Sequence, residues 1–168
     1  MKQLMILRHA EPTGWQSAAD DFSRPLCEAG TAHAQLIAAY ISDHRLLPDD
    51  ILCSPAQRTF ETLQPLLALN PKIEPAVRYI PQLYNARTET IISLLDFSFA
   101  EKDRVLIVGH NPGLSELASK VTSNPEGSYY FGLTTGTLVV VDFDAGWSIG
   151  SGPGRLNQRV TWSDLSVD

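Results

Sequence analysis

The chain has 168 residues, 43% of them hydrophobic, which is enough to bury one core and too much for a disordered tail. Its net charge of −6 argues against a nucleic-acid face and against binding to an anionic membrane, yet leaves room for a local basic pocket. No apolar run approaches the ~20 residues that span a bilayer, and Met1-Lys2 leads into a short strand-like run without a secretory core. Cys27 and Cys53 form no C-x-x-C pair, so a reduced cytoplasm is the expected setting.

Strand and helix patterns alternate along one domain covering residues 1–168. That alternation predicts an α/β fold, a mostly parallel sheet with helices on its faces. The first strand falls at about 3–8, and a loop follows through Pro25. A helix is predicted over 27–43, with Ala32, Leu36, Ala39 and Tyr40 on one face. A strand near 50–53 leads to a helix that starts at Pro55 and is disturbed by Pro65. The next strand covers about 73–79, and a helix over 89–97 has Thr88 as its N-cap. A strand at 104–108 precedes a helix from Pro112 to Val121, with Leu114, Leu117, Ala118 and Val121 facing inward. A loop rich in Gly, Tyr and Thr spans 124–136. The strand Leu138–Phe143 and a shorter partner around 147–149 form an antiparallel edge, and 150–168 shows no clear pattern.

Chemistry gathers at the strand ends. The first apolar run ends in Arg8-His9 and the run Val105–Gly109 ends in His110, while Arg58 follows shortly after the run that ends at Cys53. Short apolar runs between helices read as buried parallel strands, and ligands of such sheets bind beyond their carboxyl ends. Two arginines and two histidines would therefore meet at one edge, where they call for an anion such as phosphate. Ser54-Pro55-Ala56-Gln57 has the form of a capping box, which puts Arg58 in a first helical turn against the macrodipole. Taken singly, Arg58 could pair with Glu61 or Glu11. Asn111-Pro112 has the form of an N-cap, placing His110 at a helix mouth. A neutral His9 is the expected nucleophile, with Arg8 and Arg58 clamping phosphate oxygens and His110 offsetting transition-state charge. Arg24 could reach a substrate or lie solvated in its loop. Trp15, Tyr84, Tyr129 and Tyr130 are expected at the rim, and His33 and His44 on the surface.

Leu7-Arg8-His9-Ala10-Glu11, Ser54-Pro55-x-x-Arg58-Thr59-x-x-Thr62 and Val108-Gly109-His110-Asn111 resemble, in order, the three motifs of the histidine phosphatase (phosphoglycerate mutase-like) superfamily. Within it the likeness is to the small SixA-type phosphohistidine phosphatases. They share a segment like Ser23-Arg24-Pro25-Leu26 with Gly30 beyond it, a Leu83-Tyr84 loop and a late Thr134-Thr135. The resemblance covers Lys2 to about Phe143. It implies a three-layer α/β/α sandwich with an antiparallel edge, a phosphohistidine intermediate on His9, no metal and no cofactor. It also implies Arg8, Arg58 and His110 as phosphate ligands. Arg24, Tyr84 and Asn111 are further candidates for substrate contact.

Two positions depart from the mutase-type pattern. Trp15-Gln16 stands where an Asn is expected, and the loop Pro81–Arg87 lacks the general-acid Glu, leaving Glu11 and Glu89 as uncertain substitutes. A phosphoramidate nitrogen needs little help to leave, so the expected substrate is phosphohistidine on a partner protein. Small phosphate esters or anhydrides are the alternative substrates. A non-catalytic phosphate-recognition module would not need the intact His9, and a zinc site would lack its usual ligands. A mutase would need a closed pocket.

Overall fold

The computed structural model describes residues 1–122 and 132–166. Among them lie strands β1 (Lys2–Arg8), β2 (Asp50–Cys53), β3 (Val77–Tyr79), β4 (Arg104–Gly109), β5 (Thr137–Phe143) and β6 (Arg155–Thr161). The helices are α1 (Glu28–Asp43), α2 (Gln57–Leu69), α3 (Thr88–Phe99), α4 (Gly113–Val121) and the short α5 (Trp162–Leu165). One mixed sheet has the order β3-β2-β4-β1-β5-β6. The first four of these run parallel, β5 is antiparallel to β1, and β6 is antiparallel to β5.

Successive strand residues point to opposite faces, and both faces are covered. Leu4, Ile6, Val105, Ile107, Val139 and Val141 pack with Ile91, Leu95 and Phe99 of α3 and Leu114, Leu117, Ala118 and Val121 of α4. Met5, Leu7, Leu106, Val108, Leu138 and Val140 pack on the other side with Ile37, Ala38 and Ile41 of α1 and Leu63, Leu66 and Leu67 of α2. Two buried clusters with a sheet between them make the three-layer sandwich.

Several local expectations change. On α1 the buried stripe is Ala34, Ile37, Ala38 and Ile41, and Ala32 is exposed. Both stripes have helical spacing, and the larger Ile side chains take the core. Pro65 does not interrupt α2: the helix runs through it, with Leu63, Leu66 and Leu67 buried around it, so packing offsets the lost donor. The expected strand at 73–79 is only Val77–Tyr79. Pro71–Ala76 form 3-10 turns, as suits a segment whose two prolines have no N–H for a ladder. The partner of β5 is Arg155–Thr161, not 147–149. Trp147 instead stacks on Phe143 and donates its indole N–H to the Gly152 carbonyl. Thr88 opens α3 but does not cap it: its hydroxyl lies 2.6 Å from Glu116 Oε2 of α4.

Helix α1 approaches the loop after β1 very closely. A Cβ on Gly30 would lie 2.0 Å from the Glu11 carbonyl oxygen, two residues past His9. Gly30→Ala should cost about 1–3 kcal/mol through this overpacking. The cost would be read as a lower urea midpoint at unchanged slope. Wild-type stability in that variant would contradict the close approach.

Candidate active site

The topology builds a crevice. From β1 the chain goes to α1 on one face, and from β4 to α4 on the other, so the two connections diverge beyond the carboxyl ends of adjacent strands. The parallel register pairs Arg8 with Gly109, so the next residues, His9 and His110, fall side by side. Their ring centroids are 5.3 Å apart. Arg58 enters from the first turn of α2, at the end of the neighbouring β2. A cleft of about 230 Å³ is lined by Arg8, His9, Arg24, Arg58, His110 and Asn111, with Trp15, Asp21 and Thr135 among its other walls. A larger cavity of about 620 Å³ lies at the opposite end of β1, against Met1, Phe143 and Arg155, and contains none of these groups. Chemistry, not volume, locates the site.

His9 Nδ1 donates to the Ala10 carbonyl at 2.7 Å, leaving the lone pair on Nε2. The imidazole is pushed down to about 4 by burial first, with Arg58, Arg8 and Arg24 adding to the effect. Gly136 N–H binds the His9 carbonyl at 2.9 Å. Gly136 has φ +67°, a conformation that residues with a side chain rarely adopt, so glycine is favoured at this turn behind His9. His110 is pushed down to about 3 by burial first, then by His9 and Arg58. Its Nε2 lies 2.7 Å from Ser54 Oγ.

Each arginine is braced. Arg8 Nη1 donates to the Leu133 carbonyl at 2.8 Å, and that carbonyl also accepts from Asn111 Nδ2 at 2.7 Å. Arg58 donates through Nη1 to the Asp21 carbonyl (2.8 Å) and through Nη2 to Asp21 Oδ2 (3.1 Å). Arg24 Nη2 pairs with Asp21 Oδ1 at 3.0 Å, and its guanidinium lies 4.1 Å from the centre of the Trp15 ring. Tyr84 donates its hydroxyl to Asp21 Oδ2 and sets its ring edge-on to His110. Arg8 Nε, Arg58 Nε and His110 Nδ1 are buried and have no hydrogen-bond partner among the described residues.

The structure thus brings Arg8, His9, Arg58 and His110 together and adds Arg24 to the same wall. Tyr84 touches the cluster from behind. Asn111 lines the cleft, but its amide is engaged at both ends, by Leu133 and by Ser115. Neither proposed cap forms: α2 begins at Gln57 without a side-chain cap, and Pro112 rather than Asn111 holds the cap position of α4. Ser54 and Asn111 spend their polar groups on the site and its walls instead. Arg58 pairs with Asp21, not with Glu61 or Glu11. His44 is exposed as expected, whereas His33 stacks on Trp162. Glu11 and Glu89 are exposed, and neither lines the cleft. Tyr129 and Tyr130 lie outside the described residues. Sequence reasoning missed Asp21 and the site role of Ser54. Asp21 sits in an acidic pair in a loop, where such residues are usually solvated, and its one signal was the nearby Arg24-Pro25-Leu26. Cys53 is buried and its thiol pushed up by burial. No group of three His, Cys, Asp or Glu that could hold a metal occurs among the described residues, and none of their helices is long and apolar enough to cross a membrane.

A pH dependence follows. Both rings are neutral in the folded protein, while in the unfolded chain each takes up a proton near its ordinary value of about 6.5. The unfolded state then binds more protons, so this stability is complete above that value. It is lost as pH falls toward about 4 for His9 and about 3 for His110. Each ring should contribute a slope of about 1.4 kcal/mol per pH unit within its window. Urea unfolding between pH 6 and 4.5 should give a flatter dependence in a His9→Asn, His110→Asn double variant than in wild type. Equal slopes would show that the rings are not held neutral.

Comparison with known proteins identifies the family. The family model described as histidine phosphatase superfamily (branch 1) matches residues 4–80. An uncharacterised chloroplastic protein of Arabidopsis thaliana is 32% identical over 131 residues. That match takes in 72% of this chain but 59% of the plant protein, so the chain spans less than two thirds of that relative. An uncharacterised protein of Mycobacterium leprae is 31% identical over 121 residues, 70% of this chain and 72% of its own length. Among solved structures, SixA of Agrobacterium tumefaciens, described as a candidate phosphohistidine phosphatase, is 32% identical with a TM-score of 0.78. That superposition covers 95% of this chain and 97% of the other. With the Arg8-His9, Arg58 and His110 motifs in place around one cleft, the chain belongs to the histidine phosphatase superfamily.

Proposed function

We propose that the protein is a metal-independent phosphatase that works through a phosphohistidine on His9 and acts on phosphohistidine carried by a partner protein. The observation that carries the choice of substrate is the state of Asp21. It is the one carboxylate among the described cleft-lining residues, yet Arg24, Arg58 and Tyr84 engage both its oxygens. These contacts hold its carboxyl below the usual range against the opposing effect of burial. An ionised, fully engaged carboxylate has no proton to give a leaving group. Alkyl esters need that proton, whereas a protonated phosphohistidine ring leaves as neutral imidazole without it.

In this reading His9 Nε2 attacks phosphorus, the bond to the leaving nitrogen breaks, and that nitrogen keeps the electron pair. Arg8 and Arg58 hold the equatorial oxygens. Water then attacks the phosphohistidine, loses its proton to solvent, and releases inorganic phosphate with His9 restored. The cleft volume of about 230 Å³ supports the same reading. It lies below the ~300–1,000 Å³ of ordinary small-molecule pockets, enough for a phosphoryl group with the rest of the substrate outside. The likeness to a SixA protein points the same way.

The test is kcat/KM across leaving groups of graded pKa. Phosphohistidine or another phosphoramidate should be fastest, a nitrophenyl phosphate slower, and an alkyl or sugar phosphate barely turned over. General acid catalysis typically contributes about 10²–10⁴ in rate and flattens such a series. Glu11→Gln and Glu89→Gln should leave phosphoramidate turnover within a few-fold of wild type, and excess EDTA should not reduce it. A flat series that steepens in either variant would reveal an acid and move the reading to small phosphate esters.

A further inference from the structure

We propose that Ser54 is a positioning residue that locks His110 as the neutral Nδ1–H tautomer, so that His110 meets a phosphoryl group as a hydrogen-bond donor and not as a cation. What the tautomer does rests on the phosphatase reading. The tautomer itself rests on the hydrogen bonds alone.

Ser54 is fully buried at the end of β2. Its turn is pinned by Thr59, whose hydroxyl lies 2.7 Å from the Ser54 carbonyl oxygen and 2.8 Å from that of Ala56. Ser54 Oγ has two partners among the described residues. One is the Ala56 N–H at 3.4 Å, which can only donate. The other is His110 Nε2 at 2.7 Å. A hydroxyl has one proton to give, and among the described residues the sole acceptor for it is Nε2. If Nε2 carried a proton, two donors would face each other or the buried Ser54 proton would lose its acceptor, a costly state away from water. The Nε2–H tautomer and the imidazolium both fail on this count. A neutral ring that accepts at Nε2 carries its proton at Nδ1.

The other end of the ring agrees. His110 Nδ1 is buried without a partner among the described residues, and so are Arg8 Nε and Arg58 Nε. These unpartnered nitrogens belong to three residues that line the same small cleft, and with a proton on each, one tetrahedral oxyanion is the kind of group that would satisfy them. His9 uses the same tautomer in the opposite sense. Its Nδ1–H is given to the Ala10 carbonyl, which exposes a lone pair at Nε2. The site therefore holds two neutral imidazoles side by side, one supplying a lone pair and the other a proton. Both guanidinium groups supply charge, so a cationic His110 is not needed to bind phosphate.

The experiment uses the full chain labelled with 15N-histidine at pH 7. Two-bond correlations should give His110 a pyrrole-like Nδ1 and a pyridine-like Nε2, and added inorganic phosphate should move the Nδ1 proton resonance. Ser54→Ala should release the ring to a mixture of tautomers and lower kcat for a phosphoramidate by at least about tenfold, with a smaller change in KM. Ser54→Thr, which keeps the hydroxyl, should restore the tautomer. An Nε2–H or doubly protonated His110 in wild type would overturn the proposal, as would a Ser54→Ala protein with unchanged tautomer and kcat. Because the ring signals need no turnover, a protein inactive on phosphoramidates would sink the functional reading separately, and the spectra would still decide for or against Ser54.

Discussion

Two guanidinium groups, Arg8 and Arg58, line one small cleft beyond the carboxyl ends of β1 and β2, and their like charges repel. Everything around them moderates that repulsion without cancelling the pull on an anion. Asp21 lies against Arg58 and Arg24 and takes a third hydrogen bond from Tyr84. The Leu133 carbonyl gives Arg8 a dipole in place of a counter-charge. The two imidazoles stay neutral because burial and the arginines penalise their charged forms. A phosphate dianion would enter a site with net positive charge, ordered donors and, at His9, an imidazole that holds its lone pair at neutral pH. Such preorganisation is the main route by which enzymes stabilise developing charge.

The sheet order makes this crowding possible. Because β1 and β4 are neighbours with connections to opposite faces, the register that pairs Arg8 with Gly109 also sets His9 beside His110. Loops from elsewhere then finish the walls. The 11–26 segment supplies Asp21, Arg24 and Trp15, and residues 133–136 brace Arg8 and the His9 carbonyl. Gly30 lets α1 lie against the Glu11 backbone, so the helix sits close on the loop that follows His9.

The strands that carry the site were legible in the sequence because both faces are buried. Continuous apolar runs such as Leu4–Leu7 and Val105–Val108 admit few other readings. The four central side chains were legible because they close or follow those runs. What escaped depends on contacts distant in sequence. Asp21 meets Arg58, 37 residues away, and Ser54 meets His110, 56 residues away; local rules single out nothing at the first and read the second as a cap. β6 escaped for a different reason. As a largely exposed edge strand its residues are polar, so it shows no apolar alternation, while the more apolar segment 147–149 packs as a loop.

In the proposed function everything depends on His9 as the group that takes the phosphoryl. Mixing the protein with a phosphoramidate, quenching in alkali within the first turnover and mapping the modified peptide by mass spectrometry tests this directly. The expected result is one phosphoryl group on His9, stable in alkali, lost in acid, and absent from a His9→Asn variant that no longer turns over. A phosphoryl group on another residue, or turnover that survives loss of His9, would contradict it.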